Sequence, residues 1–236
     1  AEWLILDGQV ELALRLNDES TELMAGITSA WDLQQQQGSS IGILLRLGRV
    51  DEALERAERQ LAAAHATGSS RVLVQAEAGL AGLHLALGDT DAAEPHLAGL
   101  DAAIAEWPEV PLQLSAMADA THAAYARLRG DLDGAGVLLR SAAEAAVASG
   151  DHPIMAAIAL AVGTLALARG QHDDARRALD LAVAMRGAPD PLEPAEARLR
   201  EALGLTATSP APALEGQGAG LDRDDAAAAL AQILRR

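Results

Sequence analysis

Six histidines are the first candidates for chemistry, because imidazole transfers protons and binds metals near neutral pH. His65 and His96 fall on expected second helices of helix pairs, His84 and His122 inside first helices, and His152 and His172 in turns. No two have the His-Glu-x-x-His spacing of a zinc site, and none adjoins a serine in a nucleophile elbow. All six read as surface or internally satisfied side chains. With no Cys in 236 residues, thiolate catalysis, disulfides and Cys-ligated zinc are excluded. Gly216-Gln217-Gly218-Ala219-Gly220 follows a Pro/Ala run where a dinucleotide loop needs a strand, so it reads as linker. Every basic residue is Arg, which removes the lysine of a phosphate-binding loop. No catalytic residue, metal or cofactor is expected, and the chain does not read as an enzyme.

The elements that would position any site follow from composition. Half of the residues are hydrophobic yet only 2% are aromatic, with no Phe, so the core must be built from Ala and Leu. Such a core favours closely packed helices over sheets of aromatic and β-branched strands. The expected class is all-α. A formal charge of -16 disfavours nucleic-acid binding, since the arginines are interleaved with carboxylates and form no basic stripe. No leader-like segment and no uncharged 18-residue apolar run is present, so the expected setting is cytoplasmic, with no membrane partner.

Internal periodicity organises the chain. Asp7-Gly8-Gln9-Val10-Glu11-Leu12-Ala13 recurs as Leu47-Gly48 to Ala53, Leu87-Gly88 to Ala93, Arg129-Gly130 to Ala135 and Arg169-Gly170 to Ala175, with the glycines 40, 40, 42 and 40 residues apart. Gly after an apolar helical run supplies a left-handed cap, and the acid three residues later is expected to cap the next helix. Ala five residues after each Gly marks the crossing of the two helices, where a larger side chain would force them apart. First helices are expected at 30–47, 70–87, 112–129 and 153–169, and second helices at 51–67, 91–106, 133–149 and 173–186. Gln34-Gln35-Gln36-Gln37 reads as a solvated helix face. Gly68-Ser69-Ser70, Trp107-Pro108-Glu109-Val110-Pro111 and Ser149-Gly150-Asp151-His152-Pro153 separate the repeats.

Through these Gly and Ala positions, residues 1 to about 187 resemble the tetratricopeptide repeat. The period of about 40 exceeds the usual ~34 of that repeat, and the early Trp and terminal Pro are missing. The resemblance implies a right-handed α-solenoid of antiparallel helix pairs over 1–187. The first corner arrives after seven residues, so a cut within a repeat of a longer protein is expected.

In such a solenoid the first helices line a concave surface. Between residues 70 and 130 this surface would present Gly82, Leu85, Met117 and Ala124, with Gln75, His84, Tyr125 and Arg127 as polar groups to fix orientation. The expected partner-binding set is Gln75, Leu85, Met117, Tyr125 and Arg127, and the expected occupant is a protein segment or an apolar small effector. Two alternatives stand beside it: the small residues serve only close helix packing, or Tyr125 and His84 are packed between helices.

After Arg186-Gly187, a proline-rich turn and capping helix span 188–204, a linker 205–221 and an amphipathic helix 222–236. The acidic lead into Ala197-Arg198-Leu199-Arg200-Glu201-Ala202-Leu203-Gly204, and the later Leu221-Asp222-Arg223-Asp224-Asp225-Ala226 segment, resemble the C-terminus of large actinobacterial AfsR/SARP-like, ATPase-containing transcriptional regulators. That resemblance implies a DNA-binding domain and an ATPase elsewhere in the parent, with this chain as its sensor or interaction module binding a segment of the regulator or another protein. A stand-alone scaffold for protein assembly is the alternative.

Overall fold

The computed structural model describes residues 4–5, 8–107, 109–190, 192–206 and 223–235. Among these residues there are eleven helices and no strand: α1 (Val10–Met24), α2 (Ala30–Arg46), α3 (Val50–Thr67), α4 (Ser70–Ala86), α5 (Thr90–Ala105), α6 (Leu112–Leu128), α7 (Leu132–Ser149), α8 (His152–Ala168), α9 (His172–Arg186), α10 (Pro194–Ala202) and α11 (Arg223–Leu234). Nearly all of the expected linker lies outside the described residues. The chain divides into two compact units, Ala1–Val110 and Pro111–Arg236, and the boundary falls at the Trp107 to Pro111 breaker, inside the span read as one repeat array. In each unit neighbouring helices pack against one another, as expected for an all-α solenoid.

The corners explain this architecture. At Gly88 the backbone takes φ +81°, a conformation costly for any residue with a β-carbon. That geometry lets Gly88 N–H donate to Leu85 O (3.1 Å) and Asp89 N–H donate to His84 O (2.9 Å), which satisfies carbonyls that the end of α4 leaves open. Gly130 repeats the pattern with Arg127 O and Ala126 O. The cap differs from the expected one. The residue directly after Gly is the N-cap: Asp89 accepts from Ala92 N–H at 2.9 Å and Asp131 from Gly134 N–H at 2.8 Å. The acids three residues past Gly, such as Asp91 and Asp133, lie in the first helical turn instead, where a carboxylate favours the positive end of the helix dipole. The five corner alanines, Ala13, Ala53, Ala93, Ala135 and Ala175, are all 0% exposed, so no larger side chain fits without moving a helix.

In the first unit the main core joins Val10, Leu14, Ile43, Leu44, Leu80 and Leu83. The core of the second unit is an Ala-rich seam through α7, α8 and α9, closed by Leu199 of α10 and by Leu230, Ile233 and Leu234 of α11. Arg140 Nη1 donates to the Leu234 carbonyl at 3.1 Å and so caps the end of α11 against α7. Glu196 of α10 is 0% exposed. Its carboxylate accepts from Arg186 Nη1 (2.6 Å), Arg200 Nε (2.8 Å) and the Asp190 backbone N–H (3.1 Å), which compensates the charge that burial would otherwise leave unsolvated.

Candidate functional site

In the first unit, α1, α2 and α3 line a solvent-open cavity of about 380 Å³. Residues one helical turn apart share a helix face, which puts Asp18, Thr21 and Glu22 of α1 on one side. From α3, Arg56, Arg59 and Gln60 project into the same space, and Gln37 and Ser40 of α2 complete the lining. Every lining side chain is polar. Two carboxylates therefore come from α1 and two guanidiniums from α3.

Arg56 clamps Asp18 through Nη1 to Oδ1 (2.5 Å) and Nη2 to Oδ2 (2.9 Å), and this hydrogen bonding raises the guanidinium pKa above its ordinary value. Arg59 pairs with Glu55, and the Glu22 carboxylate makes no ion pair among the described residues. Ser40 is 3% exposed and Gln60 7%. The glutamine run is part of this construction. Gln36 accepts Asn17 Nδ2 at its backbone carbonyl (3.0 Å) and donates Nε2 to Ser20 Oγ (3.2 Å), while Gln37 lines the cavity. The expected solvated face is thus, at Gln36 and Gln37, a polar seam joining α1 to α2. The side chains of Gln34 and Gln35 lie outside the described residues.

A second polar cluster joins α3, α4 and α5. Glu77 is buried among apolar residues of α4, and its Oε2 lies 2.9 Å from His96 Nδ1 while Oε1 lies 3.8 Å from His65 Nε2. The His84 ring stacks on that of His96, with centroids 5.7 Å apart and planes within 3°. Two of the six histidines therefore approach one buried carboxylate and a third stacks on one of them, which their spacing along the chain does not reveal. Among the described residues, however, no group of three or more His, Asp or Glu is arranged to hold a metal ion.

Comparison with known proteins finds no match to a family model, to a curated protein or to a solved structure. The site must be read from its own residues.

None of the five expected partner-binding residues lines the cavity. In the first unit, Gln75 is half-buried on α4 with its Oε1 out of contact with solvent, and Leu85 is 4% exposed. In the second unit Met117, Tyr125 and Arg127 are half-buried on α6. Burial, and secondarily the charge of Arg198, lower the Arg127 pKa below the usual arginine value. Arg127 makes no ion pair among the described residues: Asp131 is engaged as the α7 cap, and Asp133 lies 3.7 Å from Arg169. No described helix is long and apolar enough to cross a membrane.

Proposed function

We propose that the chain is a non-catalytic binding module that serves as the sensor or interaction part of a larger bacterial transcriptional regulator in the cytoplasm. The observation that carries this reading is the cavity between α1, α2 and α3, a concave site rich in hydrogen-bonding groups and built by side chains from three successive helices. A ligand seated there touches all three helices at once. It thereby favours whichever packing of the repeats holds it best, and a binding module needs that differential affinity to signal.

The regulatory context rests on the resemblance of residues 186–236 to the C-terminus of AfsR/SARP-like regulators. With a net charge of -16, the chain is assigned the sensing role, and DNA contact is assigned to another part of the parent. The partner is then a segment of the parent or another protein, and the tetratricopeptide-like corners supply the repeat frame for it.

The test is genetic. Removing the codons for this chain from its gene is expected to change transcript levels of the genes that the parent controls, leaving them fixed on or fixed off. An unchanged transcriptome overturns the regulatory reading. Loss of protein complexes with transcription unaltered would favour the scaffold.

A further inference from the structure

We infer that the cavity between α1, α2 and α3 is a binding site for a small zwitterion, of free amino acid to dipeptide size. This deepens the reading of the chain as a binding module and rests on it. The first support is the repeat register. Asn17, which ties α1 to α2, stands nine residues after Gly8; the same position in later repeats holds Ala57, Leu97, Leu139 and Leu179, all buried apolar side chains. Gln60 stands twelve residues after Gly48, where the following repeats place Leu100, Ala142 and Ala182, each 0% exposed. Arg56 stands eight residues after Gly48, a position that the other repeats fill with the exposed Leu16, with His96, with the half-buried Leu138 and with the buried Ala178, so its column is not uniformly core. At Asn17 and Gln60, polar groups therefore occupy positions that the repeat otherwise gives to apolar core residues, and burial there calls for polar partners, as Asn17 Nδ2 finds in the Gln36 carbonyl.

The second support is the arrangement of charge. Asp18 and Glu22 line the cavity from α1, and Arg56 and Arg59 line it from α3, so the formal charges of the lining cancel while the two signs stay on different helices. Asp18 and Arg56 hold each other. Glu22 and Arg59 remain to meet a ligand's ammonium and carboxylate, Arg59 by exchanging its exposed intrahelical pair with Glu55. Gln37, Ser40, Thr21 and Gln60 supply neutral donors and acceptors between them. The third support is room: an open cavity of about 380 Å³ can seat a molecule of this size.

The experiment is isothermal titration of the 236-residue chain with the standard L-amino acids and a panel of dipeptides, followed by the N-acetylated and methyl-ester forms of any that bind. Saturable binding of at least one zwitterion is expected, falling about tenfold or more when either charge is masked. Glu22→Gln and Arg59→Gln should each weaken it by a similar factor. Gln60→Leu restores the apolar residue of the later repeats, so it should weaken binding without lowering the melting temperature. No saturable binding at about 1 mM by any member, equal binding of the masked forms, or indifference to all three substitutions would overturn the assignment. If no zwitterion binds while removal of the chain from its gene still alters transcription, the ligand class fails and the binding-module reading stands.

Discussion

Glu77 and Gly99 share one space: a β-carbon built on Gly99 of α5 would stand 2.6 Å from the carboxyl carbon of Glu77 on α4. The carboxylate occupies the niche that the missing side chain leaves, and there it meets His96 Nδ1. Gly99→Ala should therefore push Glu77 off His96, and the loss of that contact should offset the ~1 kcal/mol that Ala otherwise gains over Gly inside a helix, so urea unfolding should show no stabilisation. In a Glu77→Ala background, which empties the niche, the same change should stabilise. Additive effects in this double-mutant cycle would show that the two sites are independent.

The corner alanines make a second prediction. Ala93 and Ala135 have no exposed surface, so Leu at either position should overpack the crossing and cost about 1–3 kcal/mol. Thermal denaturation of each variant against the parent chain checks this, and an unchanged melting temperature would mean that the crossings have slack.

In the second unit, Glu196 faces Arg186 and Arg200 with no access to solvent. Replacing it with Ala leaves two guanidiniums without their shared partner and should cost about 3–5 kcal/mol. Glu201→Ala, at an exposed position on the same helix, should change stability little. Chemical denaturation of both variants separates the buried network from a general effect on α10.

Asp180 gives a pH dependence whose sign is fixed. Burial raises its pKa above the ordinary carboxylate value, against the smaller opposing effects of Arg176 and Arg200. The folded state thus holds this proton more tightly than the unfolded state. Its contribution to stability is fully present below the unfolded pKa and is lost as pH rises through the folded one. Asp180→Asn should accordingly melt higher than the parent chain at neutral pH, with the gain shrinking as pH is lowered toward 4. Melting curves across that range decide it.

The helical frame was legible because each corner is local: Gly, its cap and the Ala five residues later lie within seven residues, and the first and second helices begin and end within a residue or two of the expected positions. The cap itself was misplaced by two residues, since an acid in the first turn and an acid at the N-cap both favour a helix start. The cavity was harder to see. Asn17, Ser40 and Gln60 come from three helices, and each alone looks like an ordinary polar residue on a helix. Their meaning emerges only when the repeats are stacked in register and a polar side chain falls in a column of leucines and alanines. His65, His84 and His96 escaped for a related reason, because metal and catalytic spacings are rules about one helix or loop, whereas His65 of α3 and His96 of α5 approach Glu77 of α4 and His84 of α4 stacks on His96.

The docking of α11 also sets an order in time. Leu230, Ile233 and Leu234 enter a core whose other walls lie far earlier in the chain, and Arg140 reaches a carbonyl 94 residues downstream. A ribosome makes α7 and α8 long before it makes their cover. Until residue 234 has emerged, the nascent second unit carries an apolar strip that α11 later covers. During synthesis, the interval before α11 arrives leaves that strip open to aggregation or to capture by a chaperone.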